Sequence, residues 1–147
     1  CLVGDAAHAV VPFFGQGMNA SFEDCVVLLD YHKKYNGDWE NTLTDYAKYR
    51  KPDADAIAQM AIENYIEMRD SVAQPEYIQR KKIANTLYKK FPTQFIPRYN
   101  MVSFSSIPYS QVYKRGEIQQ EIITELMDED LDLSRAKSLI MDKLTEI

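Results

Sequence analysis

A mainly α-helical fold with one strand remnant at its N-terminus is predicted by three observations. Apolar positions recur at helical spacing along most of the chain. Proline and glycine fall where those runs begin and end. A single short apolar run, Leu2-Val3, stops at Gly4 and is too brief for a helix. With 147 residues, 46% apolar and 27% charged, the chain is long enough to bury one core. No internal repeat or low-complexity tract interrupts this pattern.

The elements follow in order. A helix is predicted from about Met18 to Lys34, with Phe22, Val26 and Leu29 at helical spacing and Asn36-Gly37 as its stop signal. Trp39, Leu43, Tyr46 and Ala47 mark a stretch near 40–50. Pro52 then opens a separate helix to about Val72, with Ile57, Ala61, Asn64 and Met68 on one face. Pro75 begins a helix over about 75–90, and Pro92 and Pro97 bracket an irregular stretch around Phe95-Ile96. Tyr99 to Phe104 reads as short and β-prone. From Pro108-Tyr109 a helical pattern offers Val112, Ile118, Ile122 and Leu126 for burial, with an interruption near Gly116. A last helix, about 134–146, carries Ala136, Leu139, Ile140 and Leu144, after an acidic link at residues 128–132 expected to face solvent.

The net charge of −5 and the scattered basic residues disfavour a nucleic-acid partner, and Arg80-Lys81-Lys82 reads as a solvated helix face. Cys1 and Cys25 lack metal-ligand spacing, and no secretory signal is visible, so a reduced, cytoplasmic protein without a metal is expected. No 18-residue apolar run is present, so no membrane association is expected.

Residues 4–25 hold the densest chemical information. Asp5 puts a carboxylate where the chain leaves the strand. Pro12 fixes its own φ and biases Val11 toward an extended backbone, while Gly15 and Gly17 allow close ligand approach. The main-chain N–H groups of Gly17, Met18 and Asn19 then fall at a helix N-terminus, which attracts negative charge. Asn64 is the one polar side chain on an otherwise apolar helical face. A ligand contact and a bond to backbone both satisfy it. His8, beside small alanines, reads as structural, and no residue is assigned a catalytic role.

The string Gly4-Asp5-Ala6-Ala7-His8, then Pro12, then Gly15-Gln16-Gly17-Met18-Asn19 resembles the second flavin-binding motif of the class A aromatic-ring hydroxylases. Pro12-Phe13-Phe14-Gly15-Gln16-Gly17-Met18-Asn19-Ala20 with Phe22-Glu23-Asp24-Cys25 is most similar to the kynurenine-hydroxylating branch of that family. The Gly-x-Gly-x-x-Gly unit that such enzymes need does not occur here. The chain is therefore expected to be the helical C-terminal part of an FAD/NAD(P)-binding α+β monooxygenase, inactive alone. The charged residues 117–147 fit the bacterial type, which lacks the membrane anchor of eukaryotic members.

The resemblance implies a division into a flavin-binding strand-loop-helix segment, residues 1–37, and a helical substrate-cap region, residues 38–147. It implies FAD as cofactor, NADPH as co-substrate, and L-kynurenine and O2 as substrates. The partner is the N-terminal part of the same protein, and self-association of the isolated piece is expected. Asp5, Gly17, Met18 and Asn19 would bind cofactor. Asn64 and Tyr99 would bind the amino-acid end of the substrate, with Pro12, Phe13, Phe14 and Met68 around its ring. Two other readings stay open: a flavin hydroxylase of phenols or benzoates, and a helical interaction domain without catalysis.

Overall fold

The computed structural model describes residues 1–70, 72–127 and 131–146. Among them are six α-helices: α1 Gly17–Lys34, α2 Trp39–Asp70, α3 Pro75–Lys90, α4 Arg98–Phe104, α5 Tyr109–Glu125 and α6 Leu133–Lys143. The mainly helical fold is as expected. The strand remnant does not form as a strand: Val3 keeps extended dihedrals (φ −140, ψ 156), but Gly4–Ala6 is a 3-10 turn. A strand needs a neighbour to bond, and no other strand exists among the described residues.

The described residues fall into two compact units. One comprises Cys1–Tyr65 with Pro108–Ser110, the other Ile66–Ile107 with Gln111–Ile147. In the first, α1 ends where expected, with Asn36 at φ 50 and Gly37 at φ 89 turning the chain. The face of α1 that turns inward carries Ala20 and Asp24, whereas Phe22, Val26 and Leu29 are exposed.

One expectation fails in α2. Pro52 does not start a new helix; it lies inside a single helix of 32 residues. A proline there removes one N–H donor and crowds the preceding turn, at about 3 kcal/mol. The helix persists because Thr42, Tyr46, Arg50, Asp53, Ile57, Met60 and Ala61 continue one buried face through that point. Pro52 itself is on the exposed side of α2.

The second unit is built on Ile83, Leu87, Phe95, Ile122, Ile123, Leu126, Ala136, Ile140 and Leu144. Pro75 opens α3 as expected, and Asp132 caps α6 by accepting from the Ser134 N–H at 2.8 Å. The acidic residues 128–130 lie outside the described residues. Two expectations are corrected here. Residues 99–104 are helical: the Pro97 carbonyl accepts from the N–H groups of Asn100 (2.9 Å) and Met101 (3.1 Å), and Met101 and Val102 are buried together. Neighbouring buried positions suit one turn of helix, while a strand would split them between two faces. Gly116 does not interrupt α5, which runs unbroken from Tyr109 to Glu125.

Leu87→Ala empties a site with no exposed surface and is expected to destabilise the second unit by about 2–5 kcal/mol. Ile78→Ala, at an exposed position, should stay within about 0.5 kcal/mol. Urea denaturation of the two variants measures the difference.

Candidate functional site

The loop between the 3-10 turn and α1 is shaped by its glycines. Gly4 has φ +60, and a Cβ there would lie 2.9 Å from Ser21 Oγ, so both backbone and packing require glycine. Gly15, at φ +67, opens onto free space. Gln16 precedes α1, but its side chain caps no helix N–H. It instead accepts from the Asn19 amide at 2.8 Å and the Tyr109 hydroxyl at 3.4 Å. The first turn of α1 therefore ends uncapped by its N-cap side chain, with Met18 and Asn19 exposed. Asp5 is exposed beside it: its Oδ1 lies 3.9 Å from where a Cβ on Gly17 would stand. A carboxylate acceptor thus neighbours helix N–H donors, a pairing suited to a ligand with both hydroxyl groups and acceptor or anionic atoms.

A buried ionic network holds this loop. Asp24 has no exposed surface. Its Oδ2 accepts from the Gly4 N–H (2.7 Å) and meets His8 Nε2 (2.5 Å), while its Oδ1 accepts from Arg50 Nε (2.6 Å). Arg50, only 4% exposed, also donates from Nη2 to the Ala20 carbonyl (2.9 Å) and pairs with Glu23 (2.9 Å) and Asp53 (3.6 Å). Asp53 in turn accepts from the Ser110 N–H at 2.9 Å. Burial alone would raise the Asp24 carboxyl, but the bonds from Arg50, Gly4 and His8 hold it below its ordinary value. Burial likewise opposes the charge on Arg50, yet Asp24, Glu23 and Asp53 raise its pKa. For Glu23 burial wins over Arg50 and raises the carboxyl. Burial, reinforced by Glu23, pushes the Tyr109 hydroxyl up to about 12.

The aromatic part of the loop is fixed from α2. Asn64 Nδ2 donates to the Phe13 carbonyl at 2.8 Å, and the Phe13 ring lies 4.7 Å from that of Tyr65. Of the two readings left open for Asn64, the bond to backbone is present, across 51 residues of sequence. Phe14 is buried and Pro12 exposed. Asp5, Pro12, Phe13, Phe14, Gly17, Met18, Asn19 and Asn64 all belong to the first unit, with Asp5 beside Gly17 and Asn64 bonded to Phe13. Met68 and Tyr99 belong to the second unit. Both are exposed, with the Tyr99 ring edge-on to Phe104 at 6.1 Å.

Sequence reasoning missed Asp24, Arg50 and Asp53. Their only signal is that Arg50 and Asp53 share the helical face of Tyr46 and Ile57. Charge on such a face reads as solvated until its partner, 26 residues away for Arg50 and Asp24, is known.

Residues 1–61 match the model of a family described as an FAD binding domain. That match covers the 3-10 turn, the glycine loop, α1 and most of α2. The chain is 50% identical to the kynurenine 3-monooxygenase of Myxococcus xanthus (strain DK1622) over 98% of its own length and 32% of the relative's. It is 47% identical to that of Xanthomonas oryzae pv. oryzae (strain PXO99A) over 91% of this chain and 29% of the relative. For the Flavobacterium psychrophilum protein of the same name the identity is 44%, over 86% of this chain and 28% of the relative. The chain spans about a third of the length of the relatives it matches.

Asp24→Ala strands Arg50 as a buried charge and is expected to cost about 3–5 kcal/mol in thermal or denaturant unfolding. Because the folded-state pKa of Asp24 lies below its ordinary value of 3.8, its stabilisation is present above that pH. It is lost as pH falls through the lower, folded-state value. An acid titration of Tm should therefore show a smaller acid-induced drop in Asp24→Asn than in the natural sequence.

Proposed function

We propose that this chain is the part of an FAD- and NADPH-dependent monooxygenase of L-kynurenine in which residues 1–37 bind flavin and residues 38–147 form a helical cap over substrate. The observation that carries the reading is the open N-terminus of α1 with Asp5 beside it. Those residues fit the group. A carboxylate suits the ribityl hydroxyls, and the N–H groups of Gly17, Met18 and Asn19 suit the pyrimidine edge, which gains negative charge on reduction. When bound, FAD reduced by NADPH supplies O2 activation, one oxygen atom entering the ring ortho to the amino group and the other leaving as water.

The chain's own residues orient and enclose. Asn64, whose amide retains a second N–H and an acceptor oxygen beyond the Phe13 bond, holds the amino-acid end of the substrate with Tyr99. Pro12, Phe13, Phe14 and Met68 supply apolar surface for its aromatic ring and keep water from the reacting atoms. The cytoplasm is the expected setting, supported by two free, exposed thiols. Among the described residues no helix is long and apolar enough to cross a membrane.

The remaining partner is the rest of the same polypeptide. Met18, Phe22, Val26 and Leu29 recur at helical spacing on α1 and are 54–68% exposed, a stripe that soluble proteins keep covered. In the isolated chain a second copy covers it.

In the whole enzyme, Asp5→Ala is expected to weaken FAD retention by about 10–100-fold, followed by flavin absorbance after dialysis. Asn64→Ala should raise the KM for L-kynurenine by about tenfold with FAD content unchanged. Turnover of phenol or benzoate in preference to L-kynurenine would overturn the substrate assignment. In the isolated chain, Phe22→Glu should shift a self-associated species toward monomer in sedimentation velocity.

A further inference from the structure

Gly116 lies in the interior of the 17-residue helix α5, where glycine is disfavoured and where its backbone has no left-handed φ to justify it. Its reason lies in the space beside it. A Cβ on Gly116 would fall onto Arg98 Nε, 2.7 Å from Nη2 and 2.9 Å from Cζ. The missing side chain is a notch that seats a guanidinium. Around the notch, Arg98 Nη2 donates to Glu117 Oε1 at 2.9 Å, and Cζ lies 5.6 Å from the centroid of the Tyr113 ring. Arg98 is thus held by three residues at positions i, i+3 and i+4 on one side of α5: a ring, a notch and a carboxylate.

Arg98 is the first residue of α4, a helix of seven residues. So short a helix has little stability of its own, and its pose is set by whatever holds it. Met101 and Val102 anchor one side by burial, and the seated Arg98 fixes the first turn. Tyr99 is the next residue along, with an exposed ring. We infer that the Gly116 notch and Arg98 are positioning residues that fix α4 and thereby aim Tyr99 at the carboxylate of an amino-acid substrate. The inference rests on the reading of Tyr99 as a substrate-binding residue.

The clashing atoms are the far end of a flexible side chain, so Gly116→Ala evicts Arg98 without breaking α5. This separates positioning from mere structure. In the whole enzyme, Gly116→Ala is expected to keep or raise Tm, keep its FAD, and leave kcat within about twofold, while KM for L-kynurenine rises by about tenfold. Arg98→Ala should do the same, and the double variant should be no worse than either single one. Amide hydrogen exchange should quicken over residues 98–104 in Gly116→Ala and stay unchanged over the rest of α5. Unchanged exchange in α4, or an unchanged KM alongside a KM raised by Tyr99→Phe, overturns the inference. If α4 loosens but Tyr99→Phe binds L-kynurenine normally, the assignment of Tyr99 fails and the substrate part of the inference fails with it.

Discussion

Asp24 is a fully buried carboxylate that accepts from or meets three groups far from it in sequence: the Gly4 N–H, the His8 ring and the Arg50 guanidinium. Arg50 returns a second bond to the Ala20 carbonyl, so the same two residues clamp the 3-10 turn, α1 and α2. Desolvating two charges is expensive, and an interior pair is retained only when its lone pairs and protons are nearly all used. Here most of them are. What the pair contributes is a specific tie between α1 and α2, through the Asp24–Arg50 bond at 2.6 Å.

That constraint explains how a loop rich in glycine holds one backbone path. Gly4 is held through its N–H and leaves no room for a side chain against Ser21, while Asp5 follows directly and is carried to the end of α1. On the other flank, Asn64 fixes the Phe13 carbonyl and Tyr65 packs on the Phe13 ring. The N-terminus of α1, whose N-cap side chain caps no N–H, follows these two held segments of the loop.

The second unit solves a different problem. Its described core holds no buried ion; the buried Gln119 donates to the Ile96 carbonyl at 2.8 Å, Asp132 caps the start of α6, and Arg98 sits beside Gly116. A glycine in a helix interior and a proline in another both break local rules. In each case tertiary packing explains the exception, by the notch for Arg98 in α5 and by the unbroken buried face across Pro52 in α2.

By itself the sequence determined that the chain is helical, where α1, α3 and α6 lie, and which loop carries the flavin motif, because periodicity, caps and glycine requirements are local properties. It also marked Val112, Ile122, Leu126, Ala136, Ile140 and Leu144, which are buried, and Ile118 and Leu139, which are only partly so. Only the tertiary structure decided the rest. The stripe Phe22, Val26, Leu29 has the spacing of a buried face yet is exposed in this chain, while Asp24 on the other side is buried. Whether a face turns inward depends on what packs against it, and that is a long-range fact. Asn64 found its partner 51 residues away, and Arg50 and Asp24 found each other across 26. Periodicity reports which residues share a side of a helix, whereas the free energy of burying a charge depends on a partner that local sequence does not contain.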